Sequence, residues 1–544
     1  MKKKKILLAG IAAVLCVLFT TPCFGSASQQ SAGAPAGSGS GIDSNMNLTG
    51  LPIVNQKETY NILMARAVNS GNTMPEKEPV KKAEQDTNVI INWIEVPAAN
   101  YQERLQIMMA SGDFPDGFIG GGAPFLAQNF SILTDLTDLI TKYSPNLTNY
   151  LKTRPDIRSN YIAPDGRMYT LPAGNENPDG ATAEALYFNT AWLKQLNMPM
   201  PVTTDDFYTI LKAFKDNDMN GNGDKNDEIP FAFCEANGQT RLGSMFGSFG
   251  TLDNTEHLMV KNDTVIFTPA MPEFLAALRY FNKLYSEGLM DPEGFSQSQQ
   301  QYTAKGRQNP LVYGSFINYD RMNMVGNALI DNYIYSAPLK GPGGVQLWNR
   351  SRGIAGVFYG LSITKKCSSP EVLVRWYDYV NSSYQITREW EGGPEGFAWI
   401  WDSNGVWQRI DTNVPAGSSW GEYRHTLGVG TAGPQFGTMY SPPPSPDQMA
   451  EKGLSLQLQL PFLPKAIPTG LEEAGVVQER SIWFADIDTY VKTFVASSIM
   501  NGITDDQWNA HLRNCDRLPV TKYVASYQDH YDKTRQRKYA RRYI

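Results

Sequence analysis

Residues 88–122 read NVIINWIEVPAANYQERLQIMMASGDFPDGFIGGG, and their order sets the fold class. The run NVIINWIEV (88–96) is rich in β-branched residues and predicts a strand. YQERLQIMMASGD (101–113) has the spacing of an amphipathic helix that stops at Gly112. GFIGGG (117–122) is a short strand that runs into glycines. Strands alternating with helices predict an α/β fold with largely parallel sheets. The pattern continues outward. LTDLTDLITKYSPNL (133–147) predicts another helix. Phe274, Leu278, Phe281 and Tyr285 make one stripe of a helix over 272–287, ended by Gly288. Ser369-Pro370 is a cap and first-turn pair for a helix carrying Val372, Leu373, Trp376 and Val380. Residues 390–445 are rich in Trp, Gly and Pro and poor in helix signals.

Residues 216–230, DNDMNGNGDKNDEIP, follow an amphipathic run, TTDDFYTILKAFK, with its stripe at Phe207, Ile210, Leu211 and Phe214. Oxygen-bearing side chains fall on alternate positions at Asp218, Asn220, Asn222 and Asp224, and Asp227 and Glu228 close the loop. Gly221 and Gly223 free the backbone to curl. A hard cation such as calcium takes six to eight oxygens at about 2.3–2.6 Å from a wrapping loop. A helix followed by a calcium loop is therefore expected, with those six residues as ligands. The closing acid departs from EF-hand spacing, and IPFAF after it reads as a strand rather than a second helix. The other reading is an Asn/Gly/Asp-rich surface turn without metal.

Lys2–Lys5 and the apolar run Ile6–Phe19 form a secretion signal over residues 1–22, too short for a relaxed membrane span of about 20 residues. Cleavage leaves either Cys23 as a lipidated first residue or a cut after Ala27. The Gly/Ser/Ala-rich tether over 23–45 makes most sense behind an anchor, which favours Cys23. Losing the four leader lysines takes the net charge from −6 to −10. Such an acidic chain excludes nucleic acid as a partner of its surface field. After Cys23 only Cys234, Cys367 and Cys515 remain, too few for a disulfide framework. A mature chain of roughly 500 residues is too long for one core and implies two or more lobes.

Further landmarks stand in order: MMASGDFPDGFIG (108–120), DGRMYTLPAG (165–174), ALYFNTAWLKQLNMPMPVTTDDFYTILKAFKDND (185–218), GLMDPEGF (288–295), YGSFINYD (313–320), GGPEGFAWIWDSNGVW (392–407) and IDTYVKTFVASSIMNG (487–502). With these marks the chain resembles the extracellular solute-binding lipoproteins of ABC transporters, family 1, and among them the large carbohydrate-binding members typical of Paenibacillus-like bacteria. The family often has Trp after the glycine of YGSF, where this chain has Ser315. The resemblance implies a two-lobed, periplasmic-binding-protein-like fold of type II, with a ligand cleft between lobes and crossover hinge segments. Lobe 1 would hold 46–180 plus about 350–425, and lobe 2 about 181–349 plus 426–544. Lobe 2 would carry loop 216–228 with structural calcium. The implied function is capture of a carbohydrate, most often an oligosaccharide, by a secreted, lipid-anchored monomer that serves permease subunits in the membrane.

Sugar rings pack a flat C–H face on indole, and their hydroxyls take amides and carboxylates. Trp192 and Trp376 lie on helix stripes and belong to the core, and Trp93 fits either role. Trp390, Trp399 and Trp401, in the Gly/Pro-rich region, are candidate sugar platforms, with Glu391 beside them. Gly121 stands at the carboxyl end of a strand, where α/β proteins bind ligands. Asn175, Asn177, Tyr187 and Asn189 fall near the implied first crossing, and Tyr313 and Asn318 lie in YGSFIN. The four histidines show no metal spacing, and neither a Walker loop nor a dinucleotide pattern occurs. No enzyme is therefore expected. The alternatives are a secreted glycoside hydrolase, which needs a pair of carboxylates about 5–10 Å apart, and a surface carbohydrate-binding lipoprotein without transport.

Overall fold

The computed structural model describes residues 45–540 apart from 67–70, 176–181, 183, 351–355, 404, 406, 416–417, 419, 431–457 and 468–469. The signal segment, Cys23 and almost all of the tether lie outside the described residues, as does Asn177. Strands in chain order are β1 (Glu58–Arg66), β2 (Val89–Pro97), β3 (Gly117–Ile119), β4 (Pro172–Asn175), β5 (Ala185–Asn189), β6 (Ile229–Ala232) and β7 (Leu258–Lys261). Then follow β8 (Thr264–Phe267), β9 (Tyr313–Asn318), β10 (Tyr333–Tyr335), β11 (Gly356–Tyr359), β12 (Leu361–Ile363), β13 (Trp399–Trp401) and β14 (Trp407–Arg409).

Two four-stranded sheets each anchor a core. The first has the order β12-β3-β1-β2, with β1 parallel to β2 and β3, and β12 antiparallel to β3. Alternation along β2 sends Val89, Ile91 and Trp93 inward. Trp376, predicted to be core, packs on Trp93 with ring centroids 6.1 Å apart. The second sheet has the order β10-β5-β9-β6. Here β5 runs antiparallel to both neighbours, and β6 pairs with β9 in parallel. The expectation of largely parallel sheets thus holds for the first sheet and is corrected for the second. Strand direction is set by long-range connections, which local periodicity does not record.

Helix Thr204–Asp216 follows its sequence closely. Thr203 and Asp206 close a capping box, and Phe207, Ile210, Leu211 and Phe214 are buried. The single helix predicted over 133–147 is instead two, Thr137–Tyr143 and Pro145–Thr153. Pro145 cannot donate a hydrogen bond to the turn before it, so it opens a new helix. The Asp378 carboxylate secures the break, accepting from Ser144 Oγ at 2.7 Å and from the Leu147 amide at 3.0 Å. The late helix predicted from 487 begins earlier and spans Ala474–Asn501, packed on Pro272–Ser286 in the second core.

The chain leaves the first core after β4 and returns before β11, and these two strands pair antiparallel, Asn175 opposite Gly356 and Pro172 opposite Tyr359. The ribbon is fastened to the first core. The Tyr161 hydroxyl donates to the Ala173 carbonyl at 2.8 Å and that of Tyr377 to Pro172 at 3.0 Å.

In the second core His257 is wholly buried between Asp253, 2.6 Å from Nδ1, and Asp488, 3.2 Å from Nε2. Burial alone would lower its pKa, but the charge of Asp253 and the hydrogen bonds to both carboxylates outweigh it and raise the pKa to about 9. A raised cationic pKa contributes stability that is complete below the unfolded value of 6.5 and lost as pH rises through about 9. We expect the urea midpoint to fall across that window by the equivalent of about 3 kcal/mol. A His257→Gln variant should be less stable and should lack the fall. A wild-type midpoint unchanged between pH 6.5 and 9.5 would refute this account.

Candidate functional site

At the end of β3 the chain turns through Gly120, Gly121 and Gly122, all at positive φ (99°, 88° and 78°). A Cβ on Gly121 would stand 2.9 Å from the Phe125 ring, so no larger residue fits without displacement. This turn starts the helix Gly122–Asn129, whose Ala123 and Pro124 form one wall of a cavity of about 300 Å³. The opposite walls come from the second core: β7, the helix Ala474–Asn501 and Tyr527 of the helix Val520–Ala540. Phe484 and Tyr527 supply aromatic surface. Arg480 lies 4.1 Å over the Tyr527 ring and is locked by two bonds to Glu472, at 2.6 and 2.7 Å, and by Ser526. Glu256 also lines the cavity, and burial raises its carboxyl pKa. Apolar walls with a few fixed polar groups are what small-molecule sites share. Gly121 is the predicted residue nearest this cavity, two positions before Ala123.

The other predicted ligand residues lie elsewhere. Tyr187, Asn189, Tyr313 and Asn318 are buried on β5 and β9. Tyr187 stacks on Phe316 at 5.0 Å, and Asn189 Oδ1 caps the helix Thr190–Gln195 by accepting from the Trp192 amide. The Tyr313 hydroxyl donates to the Tyr302 carbonyl at 3.1 Å, and Asn318 Oδ1 accepts from the Asp320 amide at 3.3 Å. Asn175 pairs through its backbone in the β4–β11 ribbon. Trp390 is not in an irregular loop. It lies in the last turn of the helix Tyr384–Gly392 and is 3% exposed between Trp93 and Trp376. Trp399 is wholly buried, its Nε1 donating to the Gly393 carbonyl at 2.8 Å. Glu391 bridges Arg388 at 2.5 Å and Arg424 at 2.6 Å. Of the three indoles only Trp401 is half-exposed, with Nε1 on Gln385 at 2.6 Å.

Two further tryptophans form the aromatic feature that sequence reasoning did not pair. Trp407 and Trp420 stack with centroids 6.1 Å apart and planes 17° apart. Arg388 covers Trp407 at 4.3 Å, and Arg409 and Arg424 flank Trp420 at 5.1 and 5.2 Å. Arg409 Nη2 also reaches Met322 Sδ, on the helix Arg321–Val325 that follows β9. The hairpin β13–β14 thus touches the second core from the side of the first.

The 218–228 loop is wound around its own oxygens. Asp218 accepts from the Gly221 amide at 2.7 Å and the Gly223 amide at 2.8 Å. Glu228 Oε1 accepts from Met219 and Asn220 amides at 2.7 and 3.2 Å, while its Oε2 is buried without a partner. Asn220 and Asn222 turn their side-chain amides on Asp227, and Asp224 accepts from Asn226. No cluster of three or more His, Cys, Asp or Glu that could hold a metal occurs among the described residues. The orphaned Glu228 oxygen, in a loop where the side chains of Asn220 and Asn222 close on Asp227, nevertheless suits a cation.

No family model matches the chain. The fructooligosaccharide ABC transporter substrate-binding protein FusA of Streptococcus pneumoniae is 28% identical over 499 residues, 88% of this chain and 90% of FusA. The structure of FusA in complex with kestose superposes with a TM-score of 0.78 at 26% identity, covering 88% of this chain and all of that one. An EF-hand mutant of FusA with fructo-nystose superposes equally well. Lipoprotein LipO of Bacillus subtilis is 29% identical over 227 residues, 40% of this chain and 42% of LipO. An HMO-binding solute-binding protein from Bifidobacterium longum infantis shares the fold, with TM-score 0.77 at 20% identity over 88% of this chain and 99% of its own. In sequence and fold the chain therefore matches the two-lobed carbohydrate solute-binding proteins of ABC transporters. No helix among the described residues is long and apolar enough to cross a membrane.

The placement of the indoles is open to test. Trp390→Ala should cost about 3–5 kcal/mol of stability, the range for removing a large core aromatic, as read from urea unfolding. Trp401→Ala, half-exposed, should cost less. A Trp390→Ala protein within about 1 kcal/mol of the parent would show that this indole is not core.

Proposed function

We propose that this protein is the extracellular substrate-binding component of an ABC importer, capturing an oligosaccharide between two lobes and delivering it to the membrane permease. The observation that carries the reading is the cavity, whose walls come from the helix that follows the glycine turn of one core and from β7 and the helices of the other. Lobe 1 holds 46–180 plus about 350–425, and lobe 2 holds the rest of the mature chain. Gly121 brings lobe 1 backbone to the ligand, and the protein acts as a monomer anchored through Cys23. The ligand leaves unchanged. Kestose, nystose and other neutral oligosaccharides are the first probes. One of them should raise the melting temperature and be recovered intact after long incubation. Hydrolysis products from homogeneous protein would instead support the glycoside hydrolase reading, and a panel without any binder would remove the sugar reading.

Calcium is the structural ion of the 218–228 loop in this proposal. Asp218, Asn220, Asn222, Asp224, Asp227 and Glu228 would hold it, and the bound charge would offset the four carboxylates gathered at one turn. A chelator should lower the melting temperature, and calcium should restore it. At a hundredfold excess over Kd the ion adds about 2.7 kcal/mol. The Asp218→Ala/Asp227→Ala protein should show neither response. Purified protein without stoichiometric calcium, and indifferent to chelator, would refute the site.

A further inference from the structure

The cavity between the glycine turn and the helix Ala474–Asn501 holds several polar side chains, and nearly all are already engaged. Glu472 is bound by Arg480 and faces His530 Nδ1 at 3.2 Å. The Asn254 side chain is spent on Leu258, donating to its carbonyl at 2.6 Å and accepting from its amide at 3.0 Å. Ser481 Oγ donates to the Val477 carbonyl at 2.8 Å, and Lys465 pairs with Asp263 at 2.6 Å. Glu256 differs. Its carboxylate sits half-buried on the cavity wall and accepts no hydrogen bond from another described residue.

The backbone that carries Glu256 is held on both sides. The Tyr523 hydroxyl donates to the Glu256 carbonyl at 3.0 Å. The next residue, His257, is fixed between Asp253 and Asp488, and its amide donates to the Asn254 carbonyl at 3.2 Å. A carboxylate on an immobile backbone, with unused acceptor capacity and aromatic neighbours at Phe484 and Tyr527, is placed to read hydrogen-bond donors in a bound molecule. We propose that Glu256 is a specificity-determining residue of the cavity, accepting hydrogen bonds from two hydroxyls of one sugar unit. The inference rests on the reading of the protein as a sugar binder. A hydrogen bond to a charged acceptor in a closed site is stronger than one between neutral groups. A ligand unit that lacks the matching hydroxyls would leave this carboxylate buried and unpartnered, which is how such a site rejects near relatives.

The test is calorimetric titration of the full mature protein, of Glu256→Gln and of Glu256→Ala with kestose, nystose and a set of other neutral oligosaccharides. Melting temperatures are taken without sugar. Glu256→Ala should weaken the best-bound sugar by about ten- to a hundredfold, and the isosteric Glu256→Gln should fall between it and the wild type. Both should melt near the wild-type temperature. Wild-type affinity in Glu256→Ala, with sugar binding intact, would overturn the role of Glu256 alone. A wild type that binds none of the sugars would overturn the functional reading and this inference with it. A Glu256→Gln protein that loses melting temperature and affinity in proportion would overturn it too, because the residue would then be structural.

Discussion

The ribbon of β4 and β11 is the constraint on which the rest depends. The chain leaves the first core from one end of this ribbon, after Asn175, and returns to it at the same end, before Gly356, so the two strands that flank these crossings are bonded to each other rather than independent. Their bonding is antiparallel and in register over four residue pairs, and Tyr161 and Tyr377 hold one edge to the first core. Two separate tethers would let the cores slide and twist. A bonded pair of strands gives the two crossings a common base on the first core. The cavity, formed by Ala123 and Pro124 on one side and by the helix Ala474–Asn501 on the other, is useful only if those walls meet in the same arrangement each time. Hinge closure about a few element-terminal residues is a standard way to achieve that.

What the sequence made legible was local. Thr203 and Asp206 with a stripe of four apolar residues specify the helix Thr204–Asp216 without help from the rest of the chain. Gly112 at φ 69° ends a helix for reasons contained in one residue. The loop from Asp218 to Glu228 closes on itself within eleven positions, so its spacing could be read directly. The direction of β5 was not legible, because it depends on partners more than a hundred positions away. Nor was Trp390. The glycines and proline just beyond it gave the region a loop-like composition, while its burial is supplied by Trp376 on the preceding helix and by Trp93 from the remote strand β2. Glu256 is the clearest case. Nothing in LDNTEHL separates it from a surface acid, and its placement comes from helices at the far end of the chain.

The aromatic content divides along the same line. Trp93, Trp376 and Trp390 meet in the first core, where their value is hydrophobic burial and tilted ring contacts. Trp407 and Trp420 keep partial exposure and surround themselves with guanidinium groups. Arg388 is buried against Glu391, so its charge is balanced before it stacks. Indole content alone therefore says little about ligand binding. The decisive variable is whether a ring has an uncovered face, and that belongs to the tertiary arrangement.

The contact between Arg409 and Met322 has a thermodynamic consequence of its own. It joins the hairpin β13–β14 to the helix Arg321–Val325, away from the cavity walls. If the two cores open and close on a ligand, such a contact would weight one member of that equilibrium without meeting the ligand. Apparent affinity scales with the fraction of molecules already competent to bind. Strengthening or removing this contact would thus multiply the affinities for all ligands by one common factor, leaving their ratios untouched. Changes on the cavity wall alter the ratios instead. Overall avidity and selectivity would in this way be carried by separate parts of the molecule and could diverge independently.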